Sequence, residues 1–249
     1  MQSSFRATLF GASPNTGNQG VNALCWSTLA GLAQRGCHDL HVFDYARDTV
    51  EASYGPQKYM LHGMTVGKRF WHPRHLGASR LAAAAGMRKY GILGEVAASD
   101  LVLDVSGGDS FTDLYGVARF RQITAPKEIA LRLNRPLVLL PQTFGPFDAA
   151  ESRRTARRLI DGAALAYARD EESYTRLKML LADRFDPARH RLGVDLAFGL
   201  PAREPDMLEP GVARLLAADD ASPLVGLNIS GLVANRPVKA ARKIGRAHV

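Results

Sequence analysis

Cysteine is scarce: Cys25 and Cys37 are the two in 249 residues. Their spacing matches no metal-ligand pattern or disulfide framework, which fits a reducing compartment. No run of eighteen apolar residues occurs, so the sequence offers no membrane-spanning helix, and the first ten residues lack the apolar stretch of a secretory signal. Neither the dinucleotide-binding glycine fingerprint nor the Walker phosphate loop is present. Acidic residues are outnumbered, 24 Asp and Glu against 32 Lys and Arg, for a formal charge of +8. The cations are scattered, with local groups at Lys68, Arg69, Arg74 and at Arg153, Arg154, Arg157, Arg158. No zinc-finger spacing or RNA-binding aromatic signature accompanies them, so they read as a solvated basic face and no nucleic-acid partner is expected.

What is there is globular: 46% hydrophobic and 22% charged residues, with enough chain for a substantial core. Residues 7–10 read as a buried strand, 11–20 as a loop of small polar residues, and Val21, Leu24, Cys25, Thr28, Leu29 and Leu32 as one face of a helix ending near Gly36. A strand at 40–43 completes a βαβ unit. Residues 48–90 read weakly, as an insertion covering the sheet with helix around 81–85. Further buried strands are expected at 101–105, 137–140 and 165–168. A helix between the first two is expected to break at Pro126, because proline lacks an amide hydrogen. Ala156, Leu159, Ile160 and Ala163 form the inner stripe of the next helix, and Asp170 caps the one after it. Short apolar strands separated by helices predict an α/β fold, a doubly wound parallel-sheet Rossmann-like domain.

Ligands of such sheets bind beyond the carboxyl ends of the strands. Three polar segments fall there: 11–20, 106–115 and 142–147. Small residues allow backbone amides to approach an anion, and helix amino ends add partial positive charge. Gly17 and Gly20 serve that role or simply allow a tight turn. Asp109 and Asp113 bind hydroxyls or cap turns, and Gln142 and Thr143 bond a sugar or loop backbone. Arg169 holds a planar anion or pairs with Asp170. Asp195 is placed to orient a loop between domains. His72, His75 and His190 have no ordered partners visible in the sequence, and no metal site or cofactor is expected.

The ordered set of segments resembles the polysaccharide pyruvyl transferase family. Gly17, Asn18, Gln19, Gly20 with Asn22, Ala23, Leu24 match its amino-terminal loop. Ser106, Gly107, Gly108, Asp109, Ser110, Phe111, Thr112, Asp113 with Tyr115 and Gly116 match its central motif. Pro141 to Phe147 match the next, and Ala168, Arg169, Asp170, Glu171, Ser173 follow in order, then 195–198 and 226–231. Val21 departs from the pattern, since many relatives carry an acid there.

The resemblance implies a two-lobed, GT-B-like fold whose first lobe this is, and a transfer of the pyruvyl group of phosphoenolpyruvate onto two hydroxyls of a saccharide or lipid-linked saccharide. It makes Asp109 and Arg169 the catalytic candidates, with Gly17, Asn18, Gly107, Gly108, Asp113, Gln142 and Thr143 binding substrate. Key basic residues, including a histidine acid, belong to the second lobe. The expected location is the cytoplasm, with peripheral association at the inner face of the plasma membrane left open. The expected organisation is a Rossmann-like domain at 1–200, a linker at 201–223 and the beginning of a carboxyl-terminal domain at 224–243. The tail at 244–249 resembles translated sequencing-adapter read-through, so the chain is expected to be a truncated fragment without activity of its own. The rival readings are a nucleotide-sugar glycosyltransferase and a non-catalytic glycan- or anion-binding protein.

Overall fold

A computed structural model describes residues 5–45, 48–68, 70–201, 207–217 and 225. The chain divides into two compact units, 1–201 and 202–249. In the second, the described residues include one helix, Pro210–Ala217. The 226–231 motif, Arg69 and the 244–249 tail lie outside the described residues.

The first unit is an eight-stranded sheet. Its elements run β1 (Arg6–Phe10), α1 (Gln19–Gln34), β2 (Asp39–Asp44), β3 (Thr49–Tyr54), β4 (Gln57–Gly63), α2 (Leu76–Ala84), α3 (Leu93–Ala97) and β5 (Leu101–Asp104). There follow α4 (Val117–Arg132), β6 (Leu137–Gln142), α5 (Ala150–Gly162), β7 (Leu165–Ala168), α6 (Glu171–Leu181) and β8 (His190–Leu192). The strand order is β3-β4-β2-β1-β5-β6-β7-β8, parallel throughout except that β3 runs antiparallel to β4. This is a Rossmann-like sheet, and its order reverses between β1 and β5.

Alternation along the strands sends successive side chains to opposite faces. Phe10, Phe43, Val102 and Leu139 join one cluster with residues of α2 to α6. Leu9, Val42 and Leu103 join the other with Leu24, Cys25 and Leu29 of α1. Both faces are therefore covered, five helices on one side and α1 on the other. Burial pushes the Cys25 thiol up to about 12, aided by nearby Asp44, so it is an inert packing group.

Two expectations are corrected. Residues 48–90 do not merely cover the sheet: β4 pairs with β2, and β3 forms its antiparallel edge, before α2 and α3 return across one face. Helix α4 is also continuous through Pro126. Residues 123–130 of α4 are all buried, so packing on every side holds the helix together. The Ile123 carbonyl one turn earlier accepts a hydrogen bond from Lys127 Nζ at 2.9 Å.

Near the edge, His41 Nε2 lies 2.9 Å from Asp39 Oδ1, and His41 Nδ1 lies 2.6 Å from His62 Nε2. The contact between the two rings is a hydrogen bond in which one nitrogen donates and the other accepts. Burial, then the charge of His41, lowers the His62 pKa to about 4, although Glu95 opposes this. A depressed folded-state value stabilises the fold above the unfolded pKa of about 6.5. That contribution is lost as pH falls through about 4, and is worth roughly 2–3 kcal/mol. Urea midpoints measured from pH 7 to 4 should decline more steeply for the parent than for His62→Gln; parallel profiles would count against this account.

Candidate functional site

The β1–β5 reversal opens a crevice at the carboxyl ends of the strands, where ligands of open α/β sheets bind. Its floor is a close approach of two loops. Gly11, with φ +79°, ends β1, and its carbonyl accepts from Gly107 N at 2.6 Å. Beyond β5, Ser106, Gly107 and Gly108 take φ of 50°, 63° and 86° in succession. The Ser106 hydroxyl donates to Asp104 Oδ1 at 2.7 Å, and Lys127 Nζ donates to both groups at 2.7 Å. Lys127 is fully buried and lies 4.6 Å from the centre of the Phe111 ring. Burial lowers its pKa, with Asp104 pulling in the opposite direction.

Two cavities flank this floor. One, of about 510 Å³, is lined by Arg169, Asp195, Phe198 and Leu24 together with Asn18, Val21, Gly107 and Asp109. The other, of about 370 Å³, shares those last four residues and adds Ser13, Asp44, Tyr45 and Arg119. Both volumes suit small-molecule ligands. Val21 contributes an apolar surface to both linings.

Of the residues singled out from sequence, Asn18, Gly107, Asp109 and Arg169 are brought together. Asn18 also caps α1, its Oδ1 accepting from Gly20 N and Val21 N at 3.0 and 3.3 Å. Asp109 is exposed and accepts from the Tyr115 hydroxyl at 3.3 Å. Arg169 follows β7; its Nη1 donates to Asp195 Oδ2 at 3.0 Å and its Nε lies 3.7 Å from Asp170 Oδ2. Its Nη2 has no protein partner among the described residues. Gly108 sits beneath it: a Cβ there would lie 3.1 Å from both Arg169 Nη1 and Leu24 Cδ1.

The remaining candidates are placed differently. Gln142 is fully buried, and its Nε2 ties the Asp104 carbonyl at 3.0 Å and that of Leu140 at 3.1 Å. Thr143 N donates to the Gly108 carbonyl at 2.8 Å. Asp113 accepts from Asp148 N and Ala149 N at 3.0 and 2.9 Å at the entry to α5. Burial works to raise the Asp113 carboxyl, but these bonds and one from Ser152 outweigh it and hold the carboxyl below its ordinary range. Gln142, Thr143 and Asp113 line neither cavity, as do Gly17 and Gly108. Gln142 Nε2, Thr143 N and the Asp113 carboxylate meet loop backbone, while Gln142 Oε1 is buried with no hydrogen-bond partner among the described residues.

The expected anion floor of backbone amides is also largely occupied. Gly107 and Gly108 donate to the Gly11 and Val105 carbonyls, and Asn18 takes Gly20 and Val21. These four amides are not open to an anion, whereas the cations Arg119 and Arg169 line the cavities. Asp170 caps α6 through Ser173 N at 2.7 Å, and Asp195 accepts from Ala197 N at 2.9 Å. The histidines are structural: His72 and His75 accept from Arg74 N and Ala78 N, and His190 from Asp186 N. Sequence reasoning missed Arg119, Asp44, Ser13 and Lys127. Among the described residues, no group of three or more His, Cys, Asp or Glu is placed to hold a metal ion, and no helix is long and apolar enough to cross a membrane.

This fold is a Rossmann-like domain with a polar cleft at the sheet reversal. The chain belongs to the polysaccharide pyruvyl transferase family, whose model matches residues 18–244. No curated protein matches it at significant similarity. The matched region includes Asn18, Gly107, Asp109 and Arg169, so the residues that meet in the crevice are part of the family match.

Proposed function

We propose that this protein forms the first lobe of a GT-B-like enzyme that transfers the pyruvyl group of phosphoenolpyruvate to two hydroxyls of a saccharide or lipid-linked saccharide. One hydroxyl adds across the enol double bond, its oxygen joining C2 while the methylene gains a proton. The second hydroxyl then displaces phosphate, its proton leaving with the phosphate, and a cyclic ketal results. The observation carrying this reading is Arg169 in a cavity with Asp109 and Asn18, inside the region of the family match.

Arg169 offers a planar fork, oriented by Asp195, with Nη2 available to a carboxylate or phosphate oxygen. Asp109 is an exposed acceptor for a hydroxyl proton. Asn18 fixes the start of α1 beside both. In this reading residues 201–223 link the first lobe to a second one beginning at 224–243, which supplies the proton donor, and the reaction takes place in the cytoplasm.

The test measures phosphate release from phosphoenolpyruvate with and without added glycan, and phosphoenolpyruvate binding by calorimetry. Acceptor-dependent release supports the proposal. Arg169→Gln should weaken phosphoenolpyruvate binding about 10- to 100-fold, as expected for loss of a charge-assisted bond worth ~1.5–3 kcal/mol. Turnover of a nucleotide sugar without release from phosphoenolpyruvate would overturn it.

A further inference from the structure

The smaller cavity contains chemistry that the phosphoenolpyruvate reading leaves unused. Arg119, in the first turn of α4, lines it. It bonds the Tyr45 hydroxyl but makes no ion pair among the described residues. Arg6, Arg74, Arg80 and Arg169, in contrast, each have a carboxylate partner. Ser13 lines the same cavity at 4% exposure, and its hydroxyl has no hydrogen-bond partner. A buried hydroxyl in that state needs an explanation, and a ligand oxygen supplies one. Across from them, Asp44 lines the cavity at the end of β2, with one carboxylate oxygen accepting from Tyr45 N at 2.6 Å. Phe43 and Met64 give the wall an apolar stretch.

We infer that this crevice binds a sugar unit bearing an oxyanion, with the anion on Arg119 and Ser13 and ring hydroxyls on Asp44. Each charge excludes a simpler ligand. Inorganic phosphate alone would face the Asp44 carboxylate without hydroxyls to satisfy it, and a neutral sugar would leave Arg119 without a counter-charge. A hydroxylated ring with an anionic substituent meets both groups, and its apolar face meets Phe43 and Met64. Asn18, Val21, Gly107 and Asp109 line both cavities. A donor held by Arg169 and a sugar held here would thus meet at Asp109. The identification of this sugar as the acceptor rests on the proposed pyruvyl transfer; the ligand chemistry of the crevice rests on its own residues.

Calorimetry on the full chain tests this with four probes: glucose 1-phosphate, glucuronate, glucose and inorganic phosphate. At least one anionic sugar should bind tenfold or more tightly than glucose and than phosphate, and which one does so identifies the oxyanion as phosphate or carboxylate. Arg119→Gln should weaken that probe at least tenfold while leaving glucose unchanged. Asp44→Asn should bring it down towards inorganic phosphate, and the small change Ser13→Ala should weaken it about threefold without altering the urea midpoint. Equal binding of all four probes, or an Arg119→Gln protein that folds and binds like the parent, would overturn the inference. Phosphoenolpyruvate binding measured alongside separates the two proposals: Arg119-dependent sugar binding without it sinks only the transferase reading, and the reverse sinks only the crevice.

Discussion

Replacing Lys127 with methionine is expected to lower the free energy of unfolding by about 3–5 kcal/mol, a large share of the stability of a domain this size. Methionine approximates the volume and straight stem of lysine, so little packing is lost. What is lost is the cation: Asp104, 2% exposed, would keep only the Ser106 hydroxyl against its buried charge, and the Ile123 carbonyl would lose its Nζ donor. The midpoint of thermal unfolding should fall on the order of 10 °C. Adding Asp104→Asn to Lys127→Met removes the stranded charge and should recover more than half of the loss. Urea unfolding of the parent, the single variant and the double variant reads this directly. A single variant unfolding at the parental midpoint would mean that the pair contributes nothing. The consequence reaches the crevice, because the same ammonium holds the Ser106 hydroxyl and Ser106 opens the left-handed run through Gly107 and Gly108.

Much of the parallel core is legible in the sequence because its strands are short apolar runs. Those at 7–10, 40–43, 101–105, 137–140 and 165–168 agree with β1, β2, β5, β6 and β7 to within two residues. The β3–β4 hairpin is not legible in this way. It forms the sheet edge, carries Glu51 and Lys58, and leaves Val50 48% exposed. Charge and exposure protect an edge from further pairing but erase the apolar signal. Strand β8 is only three residues long. At Pro126 local propensity predicts a break, and burial of the surrounding turns overrides it.

For the site, glycine-rich loops after the strands point to the correct rim, yet composition cannot tell which amides are already bonded. Gly107 and Gly108 look available until the β1 and β5 loops are seen in contact. Lys127 did leave a signal: it shares a helical stripe with Phe120, Ile123 and Ala130, where a solvated lysine has no place. Arg119 leaves none, since a cation in the first turn of a helix ordinarily faces solvent and works against the helix dipole. Its orientation into a cavity depends on how α4 sits over the ends of β1, β2 and β5, a relation between segments far apart in the chain.

That loop contact makes Gly11→Ala the second large prediction. A Cβ at Gly11 would lie 2.3 Å from Ser106 N and 2.8 Å from Ser106 Cα, and both obstructing atoms are backbone. No side-chain rotation can relieve such an overlap, so one loop must move and the 2.6 Å bond from Gly107 N to the Gly11 carbonyl must stretch or break. The φ of +79° adds left-handed strain of about 1–2 kcal/mol for any residue with a Cβ. Gly17 isolates the two contributions, because it has a similar φ of +75° but open space around its missing Cβ. Gly17→Ala should therefore cost only the ~1 kcal/mol of backbone strain. Gly11→Ala should cost about 4 kcal/mol or more, in the range where overpacking and strain combine. It should also abolish binding at both cavities, since Gly107 lines each of them. Urea unfolding and calorimetry on the two variants provide the comparison. Equal destabilisation would show that handedness alone accounts for Gly11, and that the β1 and β5 loops do not depend on their close approach.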